Sequence, residues 1–462
     1  MVTGPVGWMR GEGVRWALLA TLAGLFVLTC LRSLLPAEIV VSPGDTAWFV
    51  ATARLPASDL SFWMSSRPWG YPLLLKMCGL DQEAIATGQF VLHITSHIAF
   101  AFALFVSGSR TWAALIPGAA VLAFGVSPYL TSWTLVLLSE SLALSTTAVF
   151  LGSLALLLTW LDPSSRRSPM EGVLSSIGVV GSGFLLGGSR DTWPWFLVLV
   201  AVVLILQPLA NRPRPELRGR SYVRGVVAAL LVMAFALNFA GARQAQRWRW
   251  GLTNVVLMRV LPDEQARTHW HAEYGLPLDA TLIELAGQYE SAQGGAIHRH
   301  VAFNGWLQER GLRSYATEIL SHPFRTTREV LTAHSETRKW FSWEYSNQQG
   351  ARTWVARAVQ GLLFHRIWLP SGLDFLVAIS AFGWLAWRGP PTWRGTALAL
   401  LCFAIYMPFL AAMSYLSDPN EIYRHSLQVS VGLRLLRMLA VLAALGWVVN
   451  TFSRTGTPQR PA

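Results

Sequence analysis

Charge is scarce in this 462-residue chain: 13% of its residues are Asp, Glu, Lys or Arg, against 53% hydrophobic. That is about half the charged share of a soluble domain. The shortage excludes an ordinary soluble multidomain enzyme, and the abundance of apolar residues excludes a disordered chain. Cysteine is nearly absent. Cys30, Cys78 and Cys402 are far apart and form no CxxC pair, which excludes a disulfide-stapled module and a cysteine zinc site. Lysine is rarer still: only Lys76 and Lys339 stand among 37 basic residues, so the net charge of +12 reads as a chain-wide preference for arginine. No nucleic-acid partner is expected. There is also no N-x-[ST] sequon, internal repeat or low-complexity tract.

What the chain has is apolar runs. Residues 16–35, 84–106, 112–126, 140–161, 173–188, 193–209, 226–242, 375–387, 397–416 and 427–449 each read as a span crossing roughly 30 Å of hydrocarbon. The fold class is therefore an all-α polytopic membrane protein with about ten transmembrane helices. Residues 1–242 form an amino-terminal membrane module, 243–369 a mainly helical domain outside the membrane, and 370–462 a carboxyl-terminal membrane module. The first run lacks a small-residue cleavage site and reads as a retained helix.

Short loops carrying Arg110, Arg166, Arg167, Arg212, Arg214, Arg218, Arg220 and Arg224 set the orientation by the positive-inside rule. Both termini are then cytoplasmic. The long segment 243–369 and the Pro- and Trp-rich loop 36–83 face outside, the loop lying along the membrane surface. Within the long segment, Ala296 to Leu320 carries Ile297, Val301, Trp306, Leu307, Leu312 and Ile319 at helical spacing, and His322-Pro323 opens a further helix.

In that orientation the polar groups at the outer surface become informative, because charge at membrane depth must be paired or functional. Asp45 follows the first span in Ser42-Pro43-Gly44-Asp45-Thr46, either capping the next helix or holding a carboxylate where it can take a proton from a hydroxyl. Arg67 is a fork-shaped cation suited to phosphate, or else a snorkelling side chain or a partner of Asp59. Glu140 opens a span, where the helix dipole alone favours an acid. Glu421, Arg424 and His425 share one helix face by spacing. His93 and His97 are one turn apart and read as packing. The pairs His269/His271 and His298/His300 point apart on a helix and read as solvated. Arg434 and Arg437 in the last run have no explanation at this level.

Four elements in order resemble the C-type superfamily of integral membrane glycosyltransferases, whose branches include protein O-mannosyltransferases and aminoarabinose transferases. They are Gly44-Asp45-Thr46, Arg67-Pro68-Trp69-Gly70-Tyr71-Pro72, Leu138-Ser139-Glu140-Ser141 and Gly188-Ser189-Arg190. The resemblance implies transfer of a sugar from a polyprenyl-phosphate donor to an envelope lipid or glycan at the outer face of a bacterial plasma membrane, with inversion. It implies Asp45 and Glu140 as catalytic residues. Arg67, Tyr71, Lys76, Arg190, Glu421, Arg424 and His425 would bind lipid phosphate or sugar. Gly44-Asp45-Thr46 stands where better-known branches carry an Asp-Glu pair, which leaves a divalent metal open. The 243–369 segment is too short for the β-rich domains that hold polypeptide acceptors. The rival expectation is a transporter or flippase of lipid-linked substrates, which would place ionisable residues at the midplane. A non-catalytic envelope scaffold is a third, and it predicts that Asp45 and Glu140 can be neutralised without loss.

Overall fold

The computed structural model describes residues 5–34, 38–42, 44–108, 110–207, 218–339, 373–417, 419 and 426–455. The protein is an all-α polytopic membrane protein. Among the described residues there is no β-strand, only an isolated parallel bridge between Val40 and Val136. The chain divides into two compact units, one drawn from Met1–Phe239, Trp343–Met407 and Val431–Ala462, the other from Ala240–Ser342 and Pro408–Ser430.

The first unit begins with α1 (Pro5–Leu34) and continues through three short helices, α2 (Asp45–Arg54), α3 (Leu60–Trp63) and α4 (Gly70–Met77). Then come α5 (Gln82–Ser107), α6 (Trp112–Gly125), the single turn α7 (Pro128–Thr131), α8 (Ser139–Leu161), α9 (Pro169–Ser189), α10 (Pro194–Leu206) and α11 (Arg218–Gln244). Side-chain caps set several starts: Asp81 accepts from the Ala84 amide, Thr111 from Ala114, and Ser168, followed by Pro169, from Glu171. These are the residue types that satisfy orphan amides at a helix start.

Helix α8 packs against α5 and α9 and is the most enclosed of the long apolar helices, whereas α1 is the least. Polar residues inside α8 satisfy themselves locally: the hydroxyls of Thr146, Thr147 and Thr159 donate to carbonyls one turn back. That is the arrangement an apolar interior requires. Large apolar side chains instead face outward, among them Leu18, Leu25 and Leu28 on α1, Val202 and Ile205 on α10, and Val232, Met233 and Phe239 on α11. In water such surface would be an aggregation hazard; against lipid it is the expected exterior.

Seven helices are long and apolar enough to cross a membrane among the described residues. The other three expected spans form helices of 14, 13 and 16 residues, α6, α10 and, further along, Leu373–Arg388. At 1.5 Å per residue they reach only about 20–24 Å, short of a full hydrocarbon core.

The second unit contains α12 (Trp248–Val255), α13 (Glu264–Tyr274), α14 (Ala280–Glu284), α15 (Ala292–Arg299), α16 (Val301–Trp306), α17 (Leu312–Ser321) and α18 (Pro323–Lys339). Its core includes Leu257, Trp270, Phe303 and Trp306, and the Trp306 indole donates to the Tyr274 carbonyl at 2.9 Å. The single helix expected from Ala296 to Leu320 is divided. His300 is extended and caps α16 by accepting from the Phe303 amide. Val301, at the new helix start, is exposed, and so is Leu312, which follows a π-helical turn at Leu307–Gly311 that shifts the register again.

Among the described residues three further helices follow: α19 (Leu373–Arg388), α20 (Pro391–Ser417) and α21 (Leu427–Thr455). The second unit takes in Pro408–Ser430 as well as the segment from Ala240, because Tyr315 donates to the Leu416 carbonyl and Arg259 lies over the Tyr415 ring. Helix α20 therefore contributes to both units.

Candidate functional site

The site grows from a short piece of extended chain. Val40 pairs with the segment before α8: its amide donates to the Leu135 carbonyl and its carbonyl accepts from the Leu137 amide, both at 3.0 Å. The same segment is gripped from α5, where the buried Gln89 side chain donates to the carbonyls of Thr134 and Val136. Thr46, in the first turn of α2, donates to the Leu137 carbonyl at 2.9 Å. The start of α2 is therefore fixed beside the start of α8.

Asp45 occupies that first turn but does not cap it; the cap position is Gly44, and no side chain serves there. The carboxylate instead accepts from Arg67 Nη2 at 2.5 Å, with 17% of its side chain and 33% of that of Arg67 exposed. Arg67 is also stacked over Phe49 of α2. The alternative partner, Asp59, is committed to capping α3 through the Ser61 amide. This is a charge pair held from two elements and open to one side.

Gly70 and Gly188 explain why the segment after Arg67 has its sequence. A Cβ on Gly70 would sit 2.7 Å from the carbonyl of Gly188, and one on Gly188 would sit 2.5 Å from the Trp69 indole. The start of α4 thus lies directly on the end of α9, with Trp69 also against Phe184, ring centroids 4.2 Å apart. Tyr71 follows, wholly buried, its ring edge-on to Phe49 at 5.0 Å. Burial and then the negative charge of Glu140 push its phenol well above the ordinary tyrosine value. Tyr71 is therefore packed against α2 and closed off from solvent.

Beyond Gly188, Arg190 leaves α9 in extended conformation and its Nη1 lies 3.3 Å from Oε1 of Glu140 in the first turn of α8. Only 2% of the Glu140 side chain and 13% of that of Arg190 are exposed. Placement at the start of α8 also puts Glu140 where the helix dipole favours it. The pair is enclosed, unlike Asp45 and Arg67. Glu140 is therefore not presented at a surface where an acceptor would meet it, and its geometry suits a brace for the end of α9.

Lys76 lies elsewhere. Its ammonium donates to the carbonyls of Ala53 and Leu55 at 3.0 and 2.9 Å, closing the carboxyl end of α2, about 14 Å along the helix from Asp45. Glu421, Arg424 and His425 lie outside the described residues.

The histidines divide among separate partners. His93 meets the Gly125 carbonyl and His97 the His93 carbonyl, both rings buried, as packing between helices requires. His269 faces Glu318, His271 the Leu276 carbonyl and His300 Asp279. Among the described residues no group of three or more His, Cys, Asp or Glu side chains has the arrangement to hold a metal ion.

Two features escaped the sequence. Gln89 could have been flagged as an amide inside an apolar span. Arg437, unexplained there, is ion-paired with the buried Asp374 of α19 at 3.5 Å, the partner that a charge in an apolar helix demands. No protein-family model matches the chain, and no curated protein matches it.

Proposed function

We propose that the chain is a membrane glycosyltransferase that moves a sugar from a polyprenyl-phosphate donor to a hydroxyl of an envelope lipid or glycan. The observation that carries this reading is the half-open Asp45–Arg67 pair at one end of an apolar helical bundle, braced by the enclosed Glu140–Arg190 pair. A carboxylate and a guanidinium side by side suit the two demands of the reaction. The acceptor oxygen attacks the anomeric carbon and gives its proton to the Asp45 carboxylate. The bond from that carbon to phosphate oxygen breaks, and polyprenyl phosphate leaves with the electron pair, its charge met by Arg67.

In this reading the donor reaches Arg67 laterally from the bilayer. The site faces outside and both termini are cytoplasmic, a placement supported by the arginines gathered in the loops at the opposite end of the bundle. Plasma membrane is the location that goes with a polyprenyl donor. The rival reading, transport of a lipid-linked substrate, draws support from the pairing of buried Asp374 with half-buried Arg437, since ionisable pairs among apolar helices also line transport pathways.

The test supplies membranes containing the protein with a panel of radiolabelled polyprenyl-phosphate sugars. Glycosyl transfer predicts label leaving the polyprenyl phosphate for a new lipid or glycan. Transport predicts label that changes leaflet while remaining on its polyprenyl phosphate.

A further inference from the structure

A second polar region lies at the far end of the first unit. Helix α8 separates it from Glu140 by the distance from residue 140 to residue 159, about 28 Å of helix. Here Arg15 of α1, Arg110 after α5, and Arg166 and Arg167 before α9 line a cavity of about 650 Å³, within the range of roughly 300–1,000 Å³ usual for small-molecule sites.

The carboxylates that share the cavity are already engaged. Glu12 takes Arg110 at 2.8 Å, Asp162 accepts from both the amide and the hydroxyl of Ser164, and Glu171 lies 3.9 Å from Arg167. Arg15 sits over the Trp112 ring, and neither Arg15 nor Arg166 makes a salt bridge among the described residues. Burial works against the charged form of Arg167; Glu171 opposes that and Arg110 adds to it, for a net lowering. The cluster holds more positive charge than its own carboxylates answer.

Its surroundings specify what kind of anion. Exposed Trp112 and Trp387 stand at this end, and arginines among tryptophans are the signature of a membrane–water boundary. From the rim of the cavity an exposed apolar stripe runs down α9 through Met170, Val173, Leu174 and Ile177, with Val14 and Leu18 exposed on α1. An anionic head above an apolar strip is the shape of a phospholipid.

We propose that this cavity binds the phosphate headgroup of an anionic phospholipid, its acyl chains lying along α9 and α1. Basic pockets between membrane helices favour such headgroups. The site is independent of the Asp45 centre and does not rest on the glycosyltransferase reading.

The test is native mass spectrometry of the full chain released from nanodiscs of mixed phosphatidylglycerol and phosphatidylcholine. Wild type is expected to retain phosphatidylglycerol over phosphatidylcholine by roughly tenfold or more, and the double variant Arg15→Gln, Arg166→Gln to lose that preference. Equal retention of both lipids by wild type, or an unchanged preference in the folded variant, overturns the proposal. Binding of inorganic phosphate at millimolar concentration, with no lipid retained in its absence, assigns the cavity to a soluble phosphate compound and overturns the lipid source. Should the double variant fail to fold, phenylglyoxal labelling of Arg166 in the wild type decides. Protection by phosphatidylglycerol and not by phosphatidylcholine is expected, and absence of protection overturns the proposal.

Discussion

Gly70 rests on the carbonyl of Gly188 so closely that a Cβ on Gly70 would come within 2.7 Å of it. Through that contact the loop bearing Arg67 and the helix end bearing Arg190 hold each other in place. Gly70→Ala and Gly188→Ala should each cost about 1–3 kcal/mol by overpacking, with Gly188→Ala pressing on the rigid Trp69 ring. Thermal melting in detergent should show both losses, while Gly44→Ala, which meets nothing within 4 Å, should melt like wild type.

The Glu140–Arg190 pair should behave as an enclosed brace. Glu140→Gln or Arg190→Met alone leaves an uncompensated buried charge and should cost about 3–5 kcal/mol, whereas Glu140→Gln with Arg190→Met should recover most of it. A double-mutant cycle on melting temperature measures this. Single variants that melt like wild type would remove the pair from the frame of the site.

Lys76 should matter for stability and not for the donor. Its ammonium closes the end of α2, so Lys76→Met should cost about 0.5–1 kcal/mol and leave the KM for a polyprenyl-phosphate sugar unchanged. A raised KM in a variant of near-normal stability would return Lys76 to the donor site.

Glu318 gives the second unit a pH dependence. Burial raises its carboxyl pKa, but hydrogen bonds from Arg325 and Tyr274 outweigh that and hold it below the ordinary value of 4.5. A lowered folded pKa means its stabilisation is complete above the ordinary glutamate range and is lost as pH falls through the folded value. The melting difference between wild type and Glu318→Gln should therefore shrink as pH falls below about pH 4. A difference that persists undiminished below that range contradicts the assignment.

How much of this the sequence disclosed follows from how local each determinant is. Apolar runs are local, so the helices and the membrane class were legible from hydropathy alone; helix ends are set by where the chain turns, so α10 is shorter than its apolar run and α19 longer. Asp45, Arg67, Glu140 and Arg190 were each legible as acids or cations beside apolar runs. Their pairing was not, because Asp59 is nearer to Arg67 along the chain than Asp45 is, and only the fold shows that Asp59 is spent on a cap. The partners of Lys76 were hidden for the same reason: the carbonyls it closes lie more than twenty residues back. Arg437 stayed unexplained until α19 brought Asp374 to it. His300 read as part of an unbroken helical period because its capping role depends on one backbone conformation, which periodicity does not encode.

The central claim is that the open Asp45–Arg67 pair is the reacting centre, and single-turnover transfer tests it most directly. Wild type and Asp45→Asn would be compared in proteoliposomes loaded with the labelled polyprenyl-phosphate sugar that wild type uses. Asp45→Asn should melt within a few degrees of wild type, bind the donor, and transfer no label. Transfer at the wild-type rate by folded Asp45→Asn would contradict it.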